Sequence, residues 1–233
     1  MKTKLFTIAM MVAFIMTAMM KVQAQNFEGP CLPSMHGLDD HQSAFCGSTE
    51  TQTIALSSGW NWISTYIDLN EVNGITMLEE ALGDYGVTIQ TYNESADYFG
   101  DGEWSGLEDY EWTNAEMVMV EVTEECTIAL SGPTVIPSTV EIEIYPGWNW
   151  IGFPLSTETA IGVAMADFEA EEEDAIQSNV EGTSDYLGEW IGDVLTLVPG
   201  QGYMYYSNST EPKTLIFSTT ANGKSVITRK GKE

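Results

Sequence analysis

The pentapeptide Gly-Trp-Asn-Trp-Ile occurs twice in this chain, at residues 59–63 and 147–151. The residues that follow each copy also match one another in the same order, with only short insertions between the copies. The matching segments are 89–91 with 176–178, 97–100 with 185–188, 103–106 with 189–192, and 117–119 with 203–205. Self-similarity of this kind is the signature of a duplicated structural unit. It predicts two tandem modules, at 53–135 and 136–220.

Strands and turns are predicted in both copies. Residues 140–144 read Val-Glu-Ile-Glu-Ile, and this strict alternation is typical of a half-buried strand. Pro146-Gly147 predicts a turn before the second pentapeptide, and Ser58-Gly59 predicts one before the first. Further strands are expected at 89–92, 117–122 and 127–130 in the first copy, and at 176–179, 203–206 and 214–217 in the second.

One helix is predicted in each copy. Ile75, Leu78 and Leu82 recur at helical spacing after Asn73, a residue type that caps helix N-termini. The second copy repeats this apolar stripe at residues 161, 165 and 168. Short antiparallel strands covered by a helix make an α+β arrangement. We therefore expect an α+β fold of two tandem, mostly antiparallel β modules, each with one helix.

The paired tryptophans of the pentapeptide have two opposite interpretations. In a strand, Trp60 and Trp62 lie on one face, and so do Trp148 and Trp150. Such a row of indoles can stack on sugar rings, but indoles also bury a large apolar area in a small core. Because the pair recurs at the same place in both copies, we favour the core interpretation.

Two later tryptophans, Trp104 and Trp190, are better candidates for ligand binding. Each lies in a Glu-Trp-x-Gly sequence beside a turn rich in glycine and aspartate. Residues on loops carry binding functions more often than residues within regular elements. We predict these two indoles as the residues that would stack on a bound sugar.

The N-terminus has the pattern of a secretory signal peptide. Lys2 and Lys4 precede an apolar run over residues 5–20, and Val22 and Ala24 are small residues suited to cleavage after Ala24. The apolar run is shorter than the about 20 residues that a membrane-spanning helix needs, which favours cleavage over an uncleaved anchor. We therefore expect residues 1–24 to be removed, no membrane insertion of the mature chain, and export to the periplasm, the cell surface or the medium.

Residues 25–52 are interpreted as an N-terminal linker that contains a cluster of cysteine and histidine residues. The cluster consists of Cys31, His36, His41 and Cys46. In an exported chain, two cysteines at this separation favour a Cys31–Cys46 disulfide. Two thiolates and two imidazoles also form a zinc site in some proteins, which is the alternative, although this spacing matches no familiar zinc motif. The third cysteine, Cys126, is expected to be a buried thiol on a strand.

The charge distribution excludes several classes of function. The formal net charge is −27, and no Lys or Arg occurs between residues 25 and 212. Such a chain repels nucleic-acid phosphates and offers no cationic side chain to a phosphate-bearing cofactor. Both histidines lie outside the modules, and abundant carboxylates alone are no evidence for a paired catalytic site. We expect no nucleic-acid partner, no cofactor and no enzymatic activity, with a basic C-terminal tail at 221–233.

The repeated motifs also resemble a known kind of module. Gly-Trp-Asn-Trp-Ile, Ile-Gln-Ser, Gly-Glu-Trp-Ile-Gly and Pro-Gly-Gln-Gly-Tyr-Met-Tyr-Tyr together resemble a tandem module of secreted and cell-surface proteins of anaerobic gut-type bacteria. The resemblance covers residues 53–218. It implies an extracellular, non-catalytic module and carries no established ligand. It also leaves open whether the chain is the stub of a longer architecture.

These observations lead to one functional expectation and two alternatives. We expect an exported, non-catalytic interaction or spacer protein, whose partner is a protein or a glycan, at the bacterial surface or in the periplasm. The first alternative is a carbohydrate-binding protein that uses exposed tryptophans. The second is a hydrolase that uses paired carboxylates.

Overall fold

The computed structural model describes residues 49–70 and 73–218. The expected signal peptide (1–24), nearly all of the linker (25–52) and the basic tail (221–233) lie outside the described residues. So does the whole cluster of Cys31, His36, His41 and Cys46. The expected disulfide and its zinc alternative therefore stay predictions.

The described part of the chain is built mainly of short strands. In chain order they are β1 (Glu50–Leu56), β2 (Gly59–Ile63), β3 (Gly86–Gln90), β4 (Ser95–Gly100), β5 (Glu103–Ser105), β6 (Val118–Val122), β7 (Cys126–Gly132), β8 (Ile142–Ile144), β9 (Gly147–Ile151), β10 (Thr159–Ala160), β11 (Ala175–Gln177), β12 (Thr183–Tyr186), β13 (Trp190–Gly192), β14 (Thr196–Leu197), β15 (Tyr203–Ser207) and β16 (Lys213–Leu215). The helices are α1 (Gly74–Leu82) and α2 (Ile161–Ala164), with single 3-10 turns at Gly83–Tyr85 and Pro137–Thr139.

The strands form two five-stranded sheets of corresponding order. Sheet 1 has the order β2-β6-β3-β4-β5, and sheet 2 has the order β9-β15-β11-β12-β13. Beside them lie three two-stranded pairs, β1 with β7, β8 with β16, and β10 with β14. Every strand pairing within the described residues is antiparallel. The expected antiparallel, β-rich architecture with few helices is confirmed.

Helix α1 forms where its sequence pattern predicts. Asn73 is the N-cap, and its Oδ1 accepts a hydrogen bond from the Thr76 backbone N–H at 3.0 Å. Ile75, Leu78 and Leu82 are the buried stripe of the helix. The capping bond satisfies one of the backbone donors that a helix leaves unpaired at its start.

Helix α2 is much shorter than its sequence pattern predicts. It is a single turn that begins at Ile161, has no capping side chain, and contains a glycine at its second position. Both features disfavour a longer helix, because a missing cap and an internal glycine each cost up to about 1 kcal/mol. The stripe residues Ile161 and Met165 are nevertheless buried, and tighter backbone turns continue the chain to Phe168.

Two hydrophobic clusters form the core, and both sheets belong to one compact unit of the chain. The first cluster joins sheet 1, the β1–β7 pair and α1, while the second joins sheet 2 and the β8–β16 pair. Backbone hydrogen bonds connect the sheets, including one from Gly202 N to Trp62 O at 3.0 Å and one from Gly152 N to Ala115 O at 2.9 Å. The backbone at Gly152 approaches the segment of Asn114 and Ala115 so closely that a Cβ on Gly152 would lie 2.4 Å from the Asn114 carbonyl oxygen. Only glycine fits at that position.

Candidate functional site: an aromatic and acidic cleft

Each repeated pentapeptide begins at a turn that its own asparagine closes. Gly59 and Gly147 have φ angles of 90° and 91°, a region that glycine enters without steric cost. In the second copy, Asn149 Oδ1 accepts from Tyr145 N at 2.8 Å, and Asn149 Nδ2 donates to Tyr145 O at 2.8 Å and to Gly147 O at 2.9 Å. Asn61 makes the same three bonds around the first turn. The repeated asparagine therefore fixes the shape of the turn that precedes the strand.

The expectation that the paired tryptophans form the core is wrong for Trp60 and Trp148. Their side chains are 41% and 46% exposed, whereas the isoleucines that end the same strands, Ile63 and Ile151, are 1% and 0% exposed. Trp62 and Trp150 are half-buried.

The pairing of β2 with β6 explains why the indoles face outward. Residues directly opposite each other in an antiparallel pair share a face. Ile63 lies opposite Val118 and Asn61 opposite Val120, and both valines are completely buried. The face that carries isoleucine and asparagine is therefore the core face. The indoles are left on the other face, where Trp60 lies opposite Glu121.

A cleft of about 610 Å³ lies beside the outward face of β9. Its walls come from four places in the chain: β8 with its turn, β9, the loop after β3, and the segment before β6. The lining residues are mainly aromatic or acidic. They are Tyr92, Asn93, Tyr110, Ala115, Glu116, Met117, Glu141, Ile142, Glu143, Tyr145, Pro146, Trp148, Asn149 and Trp150. We call this site the aromatic cleft.

Three aromatic rings of the cleft contact other rings, and three of the cleft aromatics keep a large exposed fraction. Tyr92 meets Trp150 edge-on, with centroids 5.7 Å apart and planes at 84°. Trp148 contacts Tyr206 of the neighbouring strand with centroids 5.3 Å apart. Tyr92 is 59% exposed and Tyr145 is 53% exposed. The cleft therefore offers fixed but accessible aromatic surface.

No basic side chain of the described residues pairs with the acidic residues of the cleft. Glu116 Oε2 accepts a hydrogen bond from the Tyr110 hydroxyl at 3.0 Å, and Glu143 accepts one from the Tyr145 hydroxyl. Burial, followed by the charge of Glu116, raises the pKa of Tyr110 to about 12, so this hydroxyl stays a donor at neutral pH. Among the described residues the one basic side chain is Lys213, which pairs with a glutamate outside the cleft at 2.6 Å.

The corresponding place on sheet 1 is nearly filled by the chain itself. There Asn179 Nδ2 donates to the Trp60 carbonyl at 2.9 Å, and only about 70 Å³ of space remains beside Trp62. The lining of this space contains Ala55 where the aromatic cleft has Glu143. The two pentapeptide strands are alike, but one of them borders an open cleft and the other a closed contact.

The candidates Trp104 and Trp190 do not line the aromatic cleft. Both are half-buried and pack against the hydrophobic clusters. A Cβ on Gly86 would lie 2.5 Å from Cζ2 of Trp104, so this indole covers a backbone glycine closely. Trp190 lies 5.3 Å from the ring of Tyr186 and lines a separate depression of about 470 Å³ that also contains Phe168.

Several cleft residues were not found from the sequence, above all Tyr92, Tyr110 and Tyr145. One local signal was present. The outward positions of the alternating segment 140–144 are both glutamates, and the next outward residue is Tyr145. Tyr92 contacts Trp150, which is far from it in the chain, and no local sequence pattern predicts this contact.

The described residues contain neither a cluster suited to a metal ion nor a membrane-spanning helix. Within 49–70 and 73–218 no group of three or more His, Cys, Asp or Glu side chains is arranged to hold a metal ion. Over the same residues, no helix is both long enough and apolar enough to cross a membrane.

Cys126 is half-buried rather than buried, and burial raises the pKa of its thiol. A raised pKa keeps the sulfur as the weakly nucleophilic thiol at neutral pH.

No family model, no curated protein and no solved structure matches this chain.

Proposed function

We propose that this chain is an exported, non-catalytic binding protein of two repeat modules, and that it holds its partner in the aromatic cleft. The observation that carries the proposal is the cleft itself. It combines exposed rings, including Trp148 and Tyr92, with three glutamates, and its volume lies in the range typical of ligand sites. Partner binding would take place at the bacterial surface or in the periplasm, to which the signal sequence directs the chain.

The internal duplication is supported by more than the sequence match. The two five-stranded sheets have corresponding strand order, and β1–β7 corresponds to β8–β16. The loop after β3 contacts Trp150, and the equivalent loop after β11 bonds to Trp60. Such reciprocal contacts are what two copies of one module, at 53–135 and 136–220, would make when packed together. Divergence after duplication would then leave one junction closed and the other open.

A non-catalytic role is consistent with the groups that line the cleft. Glu116 and Glu143 each already accept a bond from a tyrosine hydroxyl. Such fixed acceptors suit recognition of a ligand.

A binding experiment with matched variants tests this proposal. The purified protein is labelled and applied to one array of short peptides and one array of oligosaccharides. We expect binding to members of one array, lost in Trp148→Ala and kept in Trp60→Ala. The control indole is similarly exposed on the equivalent strand but lies outside the cleft. Binding that survives Trp148→Ala unchanged, or no binding on either array, would contradict the proposal.

A carbohydrate-binding role through Trp190 is the second candidate. The observation in its favour is the depression of about 470 Å³, which the half-buried rings of Trp190, Tyr186 and Phe168 line together. Trp104 lines neither this depression nor the aromatic cleft, so Trp104→Ala is its matched control. Oligosaccharide binding that is lost in Trp190→Ala and kept in Trp104→Ala and Trp148→Ala would support this candidate over the first.

A further inference from the structure

We propose that the aromatic cleft binds a cationic side chain, the ammonium of lysine or the guanidinium of arginine, presented by an extended segment of a partner polypeptide. This inference rests on the proposed function, because it names the chemistry of the partner that the same cleft would take.

The first argument is the combination of aromatic faces with carboxylates that no basic side chain within 49–70 and 73–218 neutralises. A cation is attracted to the face of an indole or phenol ring within about 6 Å, and the attraction grows as water is excluded. Trp148, Tyr92 and Tyr145 are 46%, 59% and 53% exposed around the cleft. Glu116, Glu141 and Glu143 line the same space. Aromatic rings and carboxylates that line one cleft offer both kinds of attraction to an ammonium group.

The second argument is that the carboxylates keep acceptor capacity. The Tyr110 hydroxyl uses only Oε2 of Glu116, and Glu141 accepts no hydrogen bond from any described residue. A neutral ligand would have to displace water from three charged groups without supplying an opposite charge. A cation offsets that desolvation cost by direct pairing. The net charge of −27 would in addition steer a basic segment towards the molecule.

The third argument comes from the comparison of the two pentapeptide strands. The carbonyl groups of Trp60 and Trp62 accept bonds from Asn179 Nδ2 and Gly202 N. At the aromatic cleft the residue equivalent to Gly202 is Glu116, and its N–H donates to Thr113 O at 3.2 Å instead.

The residue equivalent to Asn179 is Tyr92, which donates no hydrogen bond to the Trp148 carbonyl. Among the residues that the structure describes, the bonds that satisfy the sheet 1 carbonyls therefore have no counterpart at Trp148 and Trp150. Carbonyl oxygens on a strand edge are good acceptors for a lysine ammonium or an arginine guanidinium.

The size of the cleft limits the occupant. About 610 Å³ accommodates a few side chains with their backbone, not a folded domain. An extended segment with one or two basic residues fits that space. A sugar of two or three rings would also fit, and the experiment therefore includes it.

The test uses two pentapeptides, acetyl-Gly-Lys-Gly-Lys-Gly-amide and its arginine analogue, titrated into the purified protein by calorimetry. The neutral counterparts carry acetyl-lysine and citrulline. We expect the neutral peptides to bind at least about tenfold more weakly, because they lose the cation–π and ion-pair contributions. Maltotriose and cellotriose are titrated in parallel.

Matched charge variants separate the cleft from the general acidity of the protein. Glu141→Gln/Glu143→Gln removes two charges from the cleft. Glu121→Gln/Glu124→Gln removes two charges elsewhere on the surface. We expect the first pair to weaken peptide binding about tenfold and the second pair less than about twofold. Unchanged circular dichroism spectra and thermal midpoints show that each variant is folded.

The results distinguish failure of the cationic occupant from failure of the proposed function. Equal binding of basic and neutral peptides, equal effects of the two charge variants, absence of peptide binding, or a preference for a trisaccharide would each overturn the cationic occupant. In the last case the cleft still binds a partner if Trp148→Ala abolishes trisaccharide binding, and the proposed function stands. The proposed function itself is overturned only if Trp148→Ala leaves all binding unchanged, or if no member of either array binds.

Discussion

Replacing Asn149 with alanine tests whether the repeated asparagine holds the turn before each pentapeptide strand. The side chain is 7% exposed and makes four hydrogen bonds. Three of them, to Tyr145 N, Tyr145 O and Gly147 O, are 2.8–2.9 Å long, and the fourth, to Tyr205 O, is 3.3 Å long. Each well-formed bond contributes about 0.5–1.5 kcal/mol net, and a buried group left without its partner costs more. We expect Asn149→Ala to lower the free energy of unfolding by about 2–4 kcal/mol.

The first copy supplies an internal control. Asn61 makes the three equivalent bonds, at 2.8–3.0 Å, around the turn at Ser57 and Gly59. Asn61 is only half-buried and Ser57 is exposed, so water can replace the lost bonds. Asn61→Ala should therefore cost about 1 kcal/mol, clearly less than Asn149→Ala.

Guanidinium unfolding followed by tryptophan fluorescence measures both variants. The midpoint should shift further for Asn149→Ala than for Asn61→Ala, while the slope m stays constant. Equal shifts would refute the argument that burial sets the difference. A neutral Asn149→Ala would refute the role of the asparagine altogether.

Three further predictions concern packing, ionisation and thiol reactivity. Gly152→Ala should destabilise the protein by about 2–4 kcal/mol, because the new Cβ would lie 2.4 Å from the Asn114 carbonyl oxygen. The control is Gly162→Ala, whose Cβ would have nothing within 4 Å. In the same denaturation assay this control should be neutral or stabilising by up to about 1 kcal/mol. The pKa of Tyr110 is raised from 10.0 in the unfolded chain to about 12, so its contribution to stability is full below pH 10 and is lost as the pH rises towards 12. Tyr110→Phe should therefore flatten the decline of stability between pH 9 and 12, and an unchanged decline would contradict this assignment. Because burial raises the pKa of the Cys126 thiol, alkylation at pH 7 followed by mass spectrometry should be slower in the folded protein than in guanidinium, and equal rates would show a freely reactive thiol.

Features with local causes could be predicted from the sequence. The Asn73 cap and the stripe of Ile75, Leu78 and Leu82 specify α1, because capping and helical periodicity act over neighbouring residues. The alternation before Pro146 likewise predicts the strand that becomes β8. Where two local preferences conflicted, the prediction was less accurate. The apolar stripe in the second copy extends to Phe168, but Gly162 and a missing cap limit α2 to one turn.

Which face of the pentapeptide strand is buried was decided by tertiary structure. The sequence places Trp60 and Trp62 on one face and Asn61 and Ile63 on the other, and both faces carry large apolar groups. Only the pairing with β6 settles the choice, because its inward residues are the buried valines opposite Asn61 and Ile63. A period of two defines two faces but not which of them is the core.

The aromatic cleft also depends on tertiary structure. Its walls combine Tyr92 and Tyr110 from the first half of the chain with Trp150 from the second half, and these residues meet where the two sheets pack together. The sequence by itself determined the repeated motifs, the turns before them, several of the strands and the acidic character. Packing decided that one copy of a repeated motif would border an open site and the other a closed one, because part of the lining at each strand comes from the opposite half of the chain.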